Sequence, residues 1–261
     1  MHRIPRDHPR YESLCIRQRM VSGKERGLAV GEGLLAHGRG EAFDYLLGER
    51  TNPEARAASR AAAAALLLAA RPVLSVNGNV ASLAPLEMVR LAASVPGAAL
   101  EVNLFHRTER RARLIGRELL AARRKLGAPA RRVRIFAGGP DALLPGLGSD
   151  RAKCHREGMF SADVVLVPLE DGDRAEALKR AKKTVIAIDL NPLSRTARTA
   201  DITIADNLVR ALPELRRQVE GLRGASRARL AAIAGRFDNR SNLGRALQRI
   251  RRRLSAIARD G

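Results

Sequence analysis

TVIAIDLNPLSRTARTADITIADN, residues 184–207, holds two short apolar runs separated by a polar segment. The runs TVIAIDL and DITIA predict buried strands of a parallel sheet. Between them lie side chains that hydrogen-bond or carry charge: Asp189, Asn191, Ser194, Arg195, Thr196, Arg198 and Thr199. In an open α/β sheet, ligands bind just outside the carboxyl ends of the strands. The segment therefore raises the question of what such a polar strand end binds.

Strands and helices alternate along most of the chain on both sides of this stretch. Strands are predicted at 72–77, 98–105, 131–137, 163–169, 184–190 and 201–205. Helices are predicted at 83–95, 109–127, 173–183 and 207–222. This order predicts an α/β fold with a mainly parallel, doubly wound sheet that helices cover on both faces.

Helices are also predicted before the first strand. They cover 11–28, 33–47 and an alanine-rich stretch from Pro53 to Arg71, which Thr51 or Asn52 caps and Pro72 ends. Residues 138–162 fit no regular element, because they contain five Gly and two Pro. A loop of this length in a compact domain more often has a function than serves only as a connection.

The end of the chain has a different pattern. From residue 224 onward, apolar residues recur at helical spacing while the other face is rich in Arg. These apolar residues are Ile233, Leu243, Leu247, Ile250, Leu254 and Ile257. We therefore expect one folded unit at 1–223, including N-terminal helices over about 1–71, and a basic helical extension at 224–261.

The charge is strongly positive, with 48 Lys and Arg against 27 Asp and Glu and a net charge of +21. Thirteen Arg and only four acidic residues lie from Pro213 onward. A net charge of this size would attract polyanions, acidic membrane surfaces or small phosphorylated metabolites alike. A nucleic-acid-binding α/β module that uses the Arg-rich end is thus one hypothesis. Aromatic residues make up only 3%, which argues against it, because single-stranded nucleic acids are bound on aromatic platforms.

The sequence lacks the motifs of several other classes of protein. Neither Cys15 nor Cys154 belongs to a CxxC pair, and no two of the five His have metal-ligand spacing. The longest apolar run, 61–70, is far shorter than the roughly 20 residues that span a bilayer. There is no GxxxxGK[ST] loop, GxGxxG turn or GxSxG elbow. We expect a cytoplasmic protein with no membrane contact and no metal site of its own.

Polar residues follow most of the predicted strands. They are Asn77 and Asn79, Asn103, His106 and Arg107, Glu170 to Asp173, and Asp206 and Asn207. Taken singly, each fits a turn better than a ligand contact, but their coincidence at one sheet edge favours a site for a small phosphorylated ligand. The glycines that flank Arg39 in AHGRGE, residues 36–41, either admit a phosphate or permit close helix packing.

Six blocks of sequence resemble a known family. They are IPRDHPRYESL (4–14), GLLAHGRGEAFDYLLGE (33–49), SVNGNVASL (75–83), LEVNLFHRTE (100–109), SADVVLVPLEDGDRAEAL (161–178) and VIAIDLNPLSRTARTADITIADN (185–207). Together they resemble the archaeal phosphopantothenate synthetases, also called 4-phosphopantoate–β-alanine ligases. The resemblance runs from about Ile4 to about Gly221, and the Arg-rich remainder lies outside it.

The resemblance implies a Rossmann-like homodimer of coenzyme A biosynthesis. Its reaction is the ATP-dependent joining of 4-phosphopantoate to β-alanine, with release of AMP and diphosphate. An ATP-binding sensor without turnover is a further hypothesis. Carried over position by position, the ATP-binding residues are Arg17, Arg39, Asp189, Leu190, Asn191, Arg195, Thr196, Asn207 and Leu208. The three arginines would neutralise the triphosphate together with Mg²⁺ that ATP carries.

Placement at the sheet edge, rather than the resemblance, nominates the residues that bind phosphopantoate. They are His37, Asn77, Asn79, Asn103 and Arg107. The sequence assigns no residue to the amide-forming step.

Overall fold

A computed structural model describes residues 4–260 of the chain. Its strands are β1 (Pro72–Val76), β2 (Ala99–Val102), β3 (Arg134–Phe136), β4 (Ala142–Leu143), β5 (Lys153–Cys154), β6 (Val164–Pro168), β7 (Thr184–Ile188) and β8 (Ile202–Ile204). Its helices are α1 (Tyr11–Glu25), α2 (Gly31–Leu47), α3 (Pro53–Leu68), α4 (Gly78–Leu83), α5 (Pro85–Ser94), α6 (Glu109–Leu126), α7 (Gly172–Arg180), α8 (Arg195–Thr199), α9 (Leu208–Leu222), α10 (Arg227–Gly235) and α11 (Asn239–Asp260).

Six strands form one parallel sheet in the order β3-β2-β1-β6-β7-β8. The order runs outward in opposite directions from the β1–β6 pair, in which Val73 lies opposite Val165 and Leu74 opposite Leu166. A crevice opens at such a switch point, because the two connections leave the sheet edge in opposite directions. The predicted α/β, Rossmann-like doubly wound fold is confirmed.

Both faces of this sheet are buried. Leu166 and Ile186 belong to an apolar core shared with α3, α5, α6 and α9, whereas their neighbours Val165 and Val185 belong to a second core with α7. Successive side chains of a strand point to opposite faces. Central strands such as VVLVP can therefore be apolar at every position.

Two local expectations were wrong or incomplete. The helix predicted over 83–95 begins only at Pro85, because Ala84 has a non-helical backbone (φ −150°) and a separate short helix, α4, precedes it. The excursion at 138–162 contains the small antiparallel β4–β5 pair. A fully buried carboxylate, Glu101, fixes this excursion by accepting hydrogen bonds from the backbone N–H groups of His155 (3.2 Å) and Met159 (2.6 Å).

The Arg-rich end of the chain is helical, as expected, and packs on the rest of the protein. Helix α10 contacts α3, and α11 contacts α2, α3 and β8. Leu243 and Ile250 of α11 are buried. Arg249 makes two hydrogen bonds to the carboxylate of Glu54, at 2.8 and 3.0 Å. A boundary between two units at residue 223 remains a prediction.

No helix within residues 4–260 is long and apolar enough to cross a membrane.

Two isoleucines on α11 provide a matched test of this packing. Ile250 is 8% exposed, whereas Ile257, two turns further on, is 55% exposed. We expect Ile250→Ala to lower the free energy of unfolding by about 2–4 kcal/mol through lost apolar burial, and Ile257→Ala to change it by less than about 0.5 kcal/mol. Urea denaturation of both variants measures this. Equal effects would show that α11 is not docked on the core.

Candidate functional site

Two adjoining cavities lie at the carboxyl edge of the sheet. The larger, about 470 Å³, is lined by the residues that follow β7 and β8 and is called the β7–β8 cavity. The smaller, about 340 Å³, lies beyond the ends of β1 and β2 and is called the β1 cavity. Both volumes fall in the range of small-molecule sites. The two cavities share lining residues, so that one ligand can meet another between them: Ala36, Arg39, Asn79, Leu169, Glu170 and Asp171.

Two helices of about nine residues or more, α7 and α9, begin at the β7–β8 cavity, and the short helix α8 begins there too. Asp171 caps α7 by accepting a hydrogen bond from the backbone N–H of Arg174 (3.1 Å), and Asn207 caps α9 by accepting one from Val209 (3.3 Å). The unpaired N–H groups and the positive end of the helix dipole favour an anion at such places. The site is therefore suited to a phosphorylated ligand even without a P-loop.

The polar segment after β7 is held in shape by hydrogen bonds between its own residues. The carboxylate of Asp189 accepts hydrogen bonds from the backbone N–H of Asn191 (2.9 Å) and from the hydroxyl of Ser194. Thr196 donates its hydroxyl hydrogen bond to the carbonyl of Glu170 (2.8 Å), at the end of β6. The same residues thus form the turn and line the cavity. Burial raises the pKa of Asp189, although Ser194, Asn191 and Arg39 act in the opposite direction.

A buried polar network supports the other wall. Asn207 donates a hydrogen bond to Asp44 of α2 (2.8 Å), and Arg210 pairs with both Asp44 and Asp206. Burial raises the pKa of Asp206, against the effect of the Arg210 charge. This network fixes α2, which carries His37 and Arg39, against the start of α9.

Arg39 lines both cavities. Within residues 4–260 its guanidinium makes no hydrogen bond or ion pair, and its charge acts on Asp189. A Cβ at Gly38 would meet nothing within 4 Å, and one at Gly40 would make only an ordinary contact with Leu190 at 3.7 Å. Close helix packing within the described chain therefore does not explain these glycines. The approach of a ligand is the other hypothesis, and it stays a prediction.

Eight of the nine residues nominated for ATP line the β7–β8 cavity: Arg39, Asp189, Leu190, Asn191, Arg195, Thr196, Asn207 and Leu208. The ninth, Arg17, lies on α1 and hydrogen-bonds Glu41 at 2.8 Å. It lines a shallower cavity of about 370 Å³ between α1 and α2, which shares His37 with the β7–β8 cavity. Residues scattered over 170 positions of sequence thus meet in one place, with Arg17 beside it.

The nominated substrate residues divide into two groups. His37 and Asn79 line the β7–β8 cavity, and Asn77 and Asn79 line the β1 cavity. Burial lowers the pKa of His37, and its Nε2 is buried without a hydrogen-bond partner in the described part of the chain. A neutral imidazole nitrogen is therefore available to a ligand.

Asn103 and Arg107 do not line either cavity. Asn103 is buried between Ser75, which donates a hydrogen bond to it, and Glu101, which accepts one from it. Arg107 is buried and donates to the carbonyl of Val102 (3.1 Å). Position at a sheet edge does not determine which way a side chain points, and these two point into the protein.

Sequence reasoning missed Arg111, which lines the β1 cavity together with Arg39. Its guanidinium donates to the carbonyls of His106 and Leu28, and its buried Nε has no partner among residues 4–260. Burial lowers the pKa of Arg111. A signal was present, because Thr108 is a typical cap and Arg111 falls in the first turn of the helix that follows β2.

Glu170 lies where the two cavities meet. Its Oε2 is 3.1 Å from Nε of the buried Arg174. Burial raises the pKa of Glu170 to about 7, because the loss of hydration outweighs the attraction of Arg174. A carboxyl group that titrates near neutral pH in a cleft is a candidate for proton transfer.

The fold is that of a doubly wound α/β protein, and two adjoining cavities suited to anionic ligands lie at the switch point of its sheet. A family model described as phosphopantothenate/pantothenate synthetase matches residues 54–253. The chain belongs to this family.

Individual curated relatives support the same family assignment. The chain is 50% identical over 261 residues to the 4-phosphopantoate–β-alanine ligase of Thermococcus kodakarensis, covering all of this chain and 97% of the relative. It is 48% identical over 257 residues to that of Methanosarcina mazei, covering 98% of each. The resemblance is confirmed, and its expected end near Gly221 was wrong, since the similarity includes the Arg-rich helices.

Gly172 offers a test of the β7–β8 cavity. A Cβ there would lie 2.2 Å from Nε of Arg195, so that Arg195 must move. We expect Gly172→Ala to weaken ATP binding roughly tenfold through a lost charge-assisted contact, as measured by calorimetry. Gly221→Ala is the control, because a Cβ there meets nothing within 4 Å. Unchanged ATP affinity in Gly172→Ala would argue against the predicted contact of ATP with Arg195.

Proposed function

We propose that this chain joins the carboxylate of 4-phosphopantoate to the amine of β-alanine, forming 4′-phosphopantothenate while ATP is converted to AMP and diphosphate. The observation that carries this proposal is the identity of about half of the residues, over the full chain, to ligases of that name. The paired cavities at the switch point support it, because the reaction must bring two anionic substrates together. Membership in this family favours neither the nucleic-acid module nor the sensor.

In this proposal ATP occupies the β7–β8 cavity. Arg39, Arg195 and the starts of α7 and α9 neutralise its phosphates. Asp189, with Asn191 and Asn207, supplies carboxylate and amide groups that hydrogen-bond the ribose and base. Arg17 contributes from the adjoining α1–α2 cavity.

Phosphopantoate occupies the β1 cavity, where Arg111 and Arg39 are the cations that line the wall. Asn77, Asn79 and His37 contact the substrate around the junction with the β7–β8 cavity. Asn103 and Arg107 take part only by holding this wall from behind. The carboxylate oxygen attacks the α-phosphorus of ATP, the bond to diphosphate breaks, and an acyl-adenylate forms.

Mg²⁺ fits this site as an ion that arrives with ATP. Within residues 4–260, no three His, Cys, Asp or Glu side chains are placed to hold a metal ion. Mg²⁺ is commonly bound by one or two carboxylates and the substrate phosphates. Asp171 lines both cavities, and its Oδ2 is buried without a hydrogen-bond partner in the described chain. Mg²⁺ held there would supply positive charge to the phosphates.

We also place the reaction in the cytoplasm. The two cysteines, Cys15 and Cys154, are free thiols, which suits a reducing compartment.

The reaction itself is the direct test. We expect the purified protein, given ATP, 4-phosphopantoate and β-alanine, to form 4′-phosphopantothenate with equal amounts of AMP and diphosphate. Oxygen-18 placed in the phosphopantoate carboxylate should appear in AMP, because that oxygen bonds the α-phosphorus. Mass spectrometry measures both. Release of ADP and inorganic phosphate would contradict the adenylate mechanism.

The α1–α2 surface is where we propose that a second copy packs. Val21 is 47% exposed and lines the shallow α1–α2 cavity with Met20 and Leu34, and Leu35, the next residue of α2, is 78% exposed. Neighbouring apolar side chains on a surface are typical of an interaction site. A homodimer through this face would cover them and bring Arg17 under the interface.

Leu35→Glu tests this dimer. A charge in an apolar interface is costly to desolvate, so we expect the variant to have the mass of one chain by light scattering where the unchanged protein has that of two. Leu143→Glu, at an equally apolar position that is 61% exposed on β4, should remain dimeric. A Leu35→Glu protein that stays dimeric would place the interface elsewhere.

A further inference from the structure

Only part of the positive charge of α11 is used to attach this helix to the core. The guanidinium of Arg249 is paired with the carboxylate of Glu54. The guanidinium groups of Arg252 and Arg253, about one turn further along, make no hydrogen bond or ion pair within residues 4–260. A guanidinium has five N–H donors and no acceptor, so that an unpaired one is available to an anion.

These arginines line a cavity between α11 and the end of α2, which is called the α11 cavity. Its volume is about 450 Å³, in the range of small-molecule sites and close to that of the β7–β8 cavity. Five arginines and one carboxylate line it, together with three uncharged residues. The lining residues are Leu47, Arg50, Glu54, Arg245, Gln248, Arg249, Arg252, Arg253 and Ala256.

The cations come from two sides of this cavity. Arg50, in the connection that follows α2, is exposed and unpaired in the described part of the chain. Arg253 reaches the end of α2 from α11, since a Cβ on Gly48 would lie 3.4 Å from its Nη1. Gly48 has a φ of 88°, so that glycine suits both the backbone at this position and the space that the guanidinium occupies. Unpaired guanidinium groups from two separate elements therefore line one cavity.

The arginines along α11 also repel one another. Arg245, Arg249 and Arg253 are four residues apart, and Arg252 is three residues from Arg249. Residues at these spacings are neighbours on the surface of a helix, where like charges are destabilising. Glu54 is the one carboxylate that lines the cavity, and it pairs with Arg249. An anion between the other guanidinium groups would remove the remaining repulsion.

The chemistry of the cavity favours a small ligand with several phosphate groups. The planar fork of a guanidinium binds two phosphate oxygens at once, and three unpaired forks exceed what one phosphate requires. A single-stranded nucleic acid is bound by stacking its bases on aromatic side chains. The lining residues include no aromatic residue, and residues 238–261 contain none.

We propose that the α11 cavity is a binding site for a small molecule that carries at least two phosphate groups, with Arg50, Arg252 and Arg253 as its main contacts. The α11 cavity shares no lining residue with the β7–β8 or β1 cavity. It is therefore a second site, separate from the one proposed for ATP. A ligand held by these three arginines would tie α11 to the end of α2.

Calorimetric titration with inorganic triphosphate tests this site. The variant Arg50→Gln, Arg252→Gln, Arg253→Gln removes the unpaired guanidinium groups, while Gln has nearly the helix propensity of Arg. We expect this cavity variant to bind one triphosphate fewer per chain than the unchanged protein. That difference is the same whether or not the β7–β8 cavity also binds triphosphate, so the result does not depend on the proposed reaction.

A matched control separates a site from a general effect of charge. Arg240, Arg251 and Arg259 are exposed on α11 and do not line the cavity. Replacing these three by Gln removes the same net charge, and we expect this control variant to bind as many triphosphates as the unchanged protein. Circular dichroism checks that both variants are folded. If the cavity variant does not fold, Arg253→Gln alone should weaken binding at this site about tenfold.

Amide hydrogen exchange locates the bound triphosphate. We expect it to slow exchange at residues 48–50 and 245–256 in the unchanged protein and in the control variant, but not in the cavity variant. ADP, titrated into the same three proteins, identifies the source of the phosphates. Loss of one bound ADP per chain in the cavity variant would assign the site to a nucleotide, and loss of triphosphate alone would assign it to an inorganic polyphosphate.

Three results would overturn the proposal. The unchanged protein and the cavity variant could bind equal numbers of triphosphates. The cavity and control variants could lose binding to the same extent, which would show that net charge alone attracts the anion. Finally, single-stranded RNA could bind and lose affinity equally in both variants, while triphosphate leaves exchange along α11 unchanged; the Arg-rich helix would then be a nucleic-acid surface.

Discussion

One side-chain amide joins the two halves of the sheet at the point where its strand order reverses. Asn77, directly after β1, donates hydrogen bonds to the carbonyls of Pro168 (3.0 Å) and Leu169 (2.9 Å) at the end of β6. Leu169 has a φ of 51°, which is unfavourable for a residue with a Cβ. The two hydrogen bonds from the Asn77 amide stabilise this unfavourable backbone conformation, because they fix the carbonyl groups of Pro168 and Leu169. Because Glu170 is the next residue, its place between the two cavities depends on this contact.

The balance of charges follows from the same geometry. A chain with a net charge of +21 could fill its site with cations, yet many of its arginines are occupied by carboxylates. Arg210 is held by Asp44 and Asp206, and Arg174 by Glu170. Arg39, in contrast, has no ion pair within residues 4–260. Paired arginines hold the walls in place, and Arg39 retains its charge for an anion.

Most of the fold and part of the site could be predicted from the sequence, for physical reasons. Strands buried on both faces are apolar throughout, so their ends, where Asp189 and Asn207 lie, are easy to locate. Side-chain direction is not encoded so simply. Asn103 and Asn77 follow neighbouring strands, but Asn103 turns inward to Glu101. Arg111 was missed because it lies on a helix, where a charged residue usually indicates a solvated face.

The Arg-rich helices show how a segment outside the site can still support it. Leu190 of the β7–β8 cavity packs in a small apolar cluster with Leu47 of α2 and Ile250 of α11. The contact of Arg249 with Glu54 holds α11 beside the start of α3. Burial acts to raise the pKa of Glu54, but the hydrogen bonds and charge of Arg249, a backbone hydrogen bond and the charge of Arg245 together outweigh burial, so that the pKa is lowered. The positive charge of Arg249 thus serves attachment, and through Leu190 the attached helix forms the support behind one wall of the cavity.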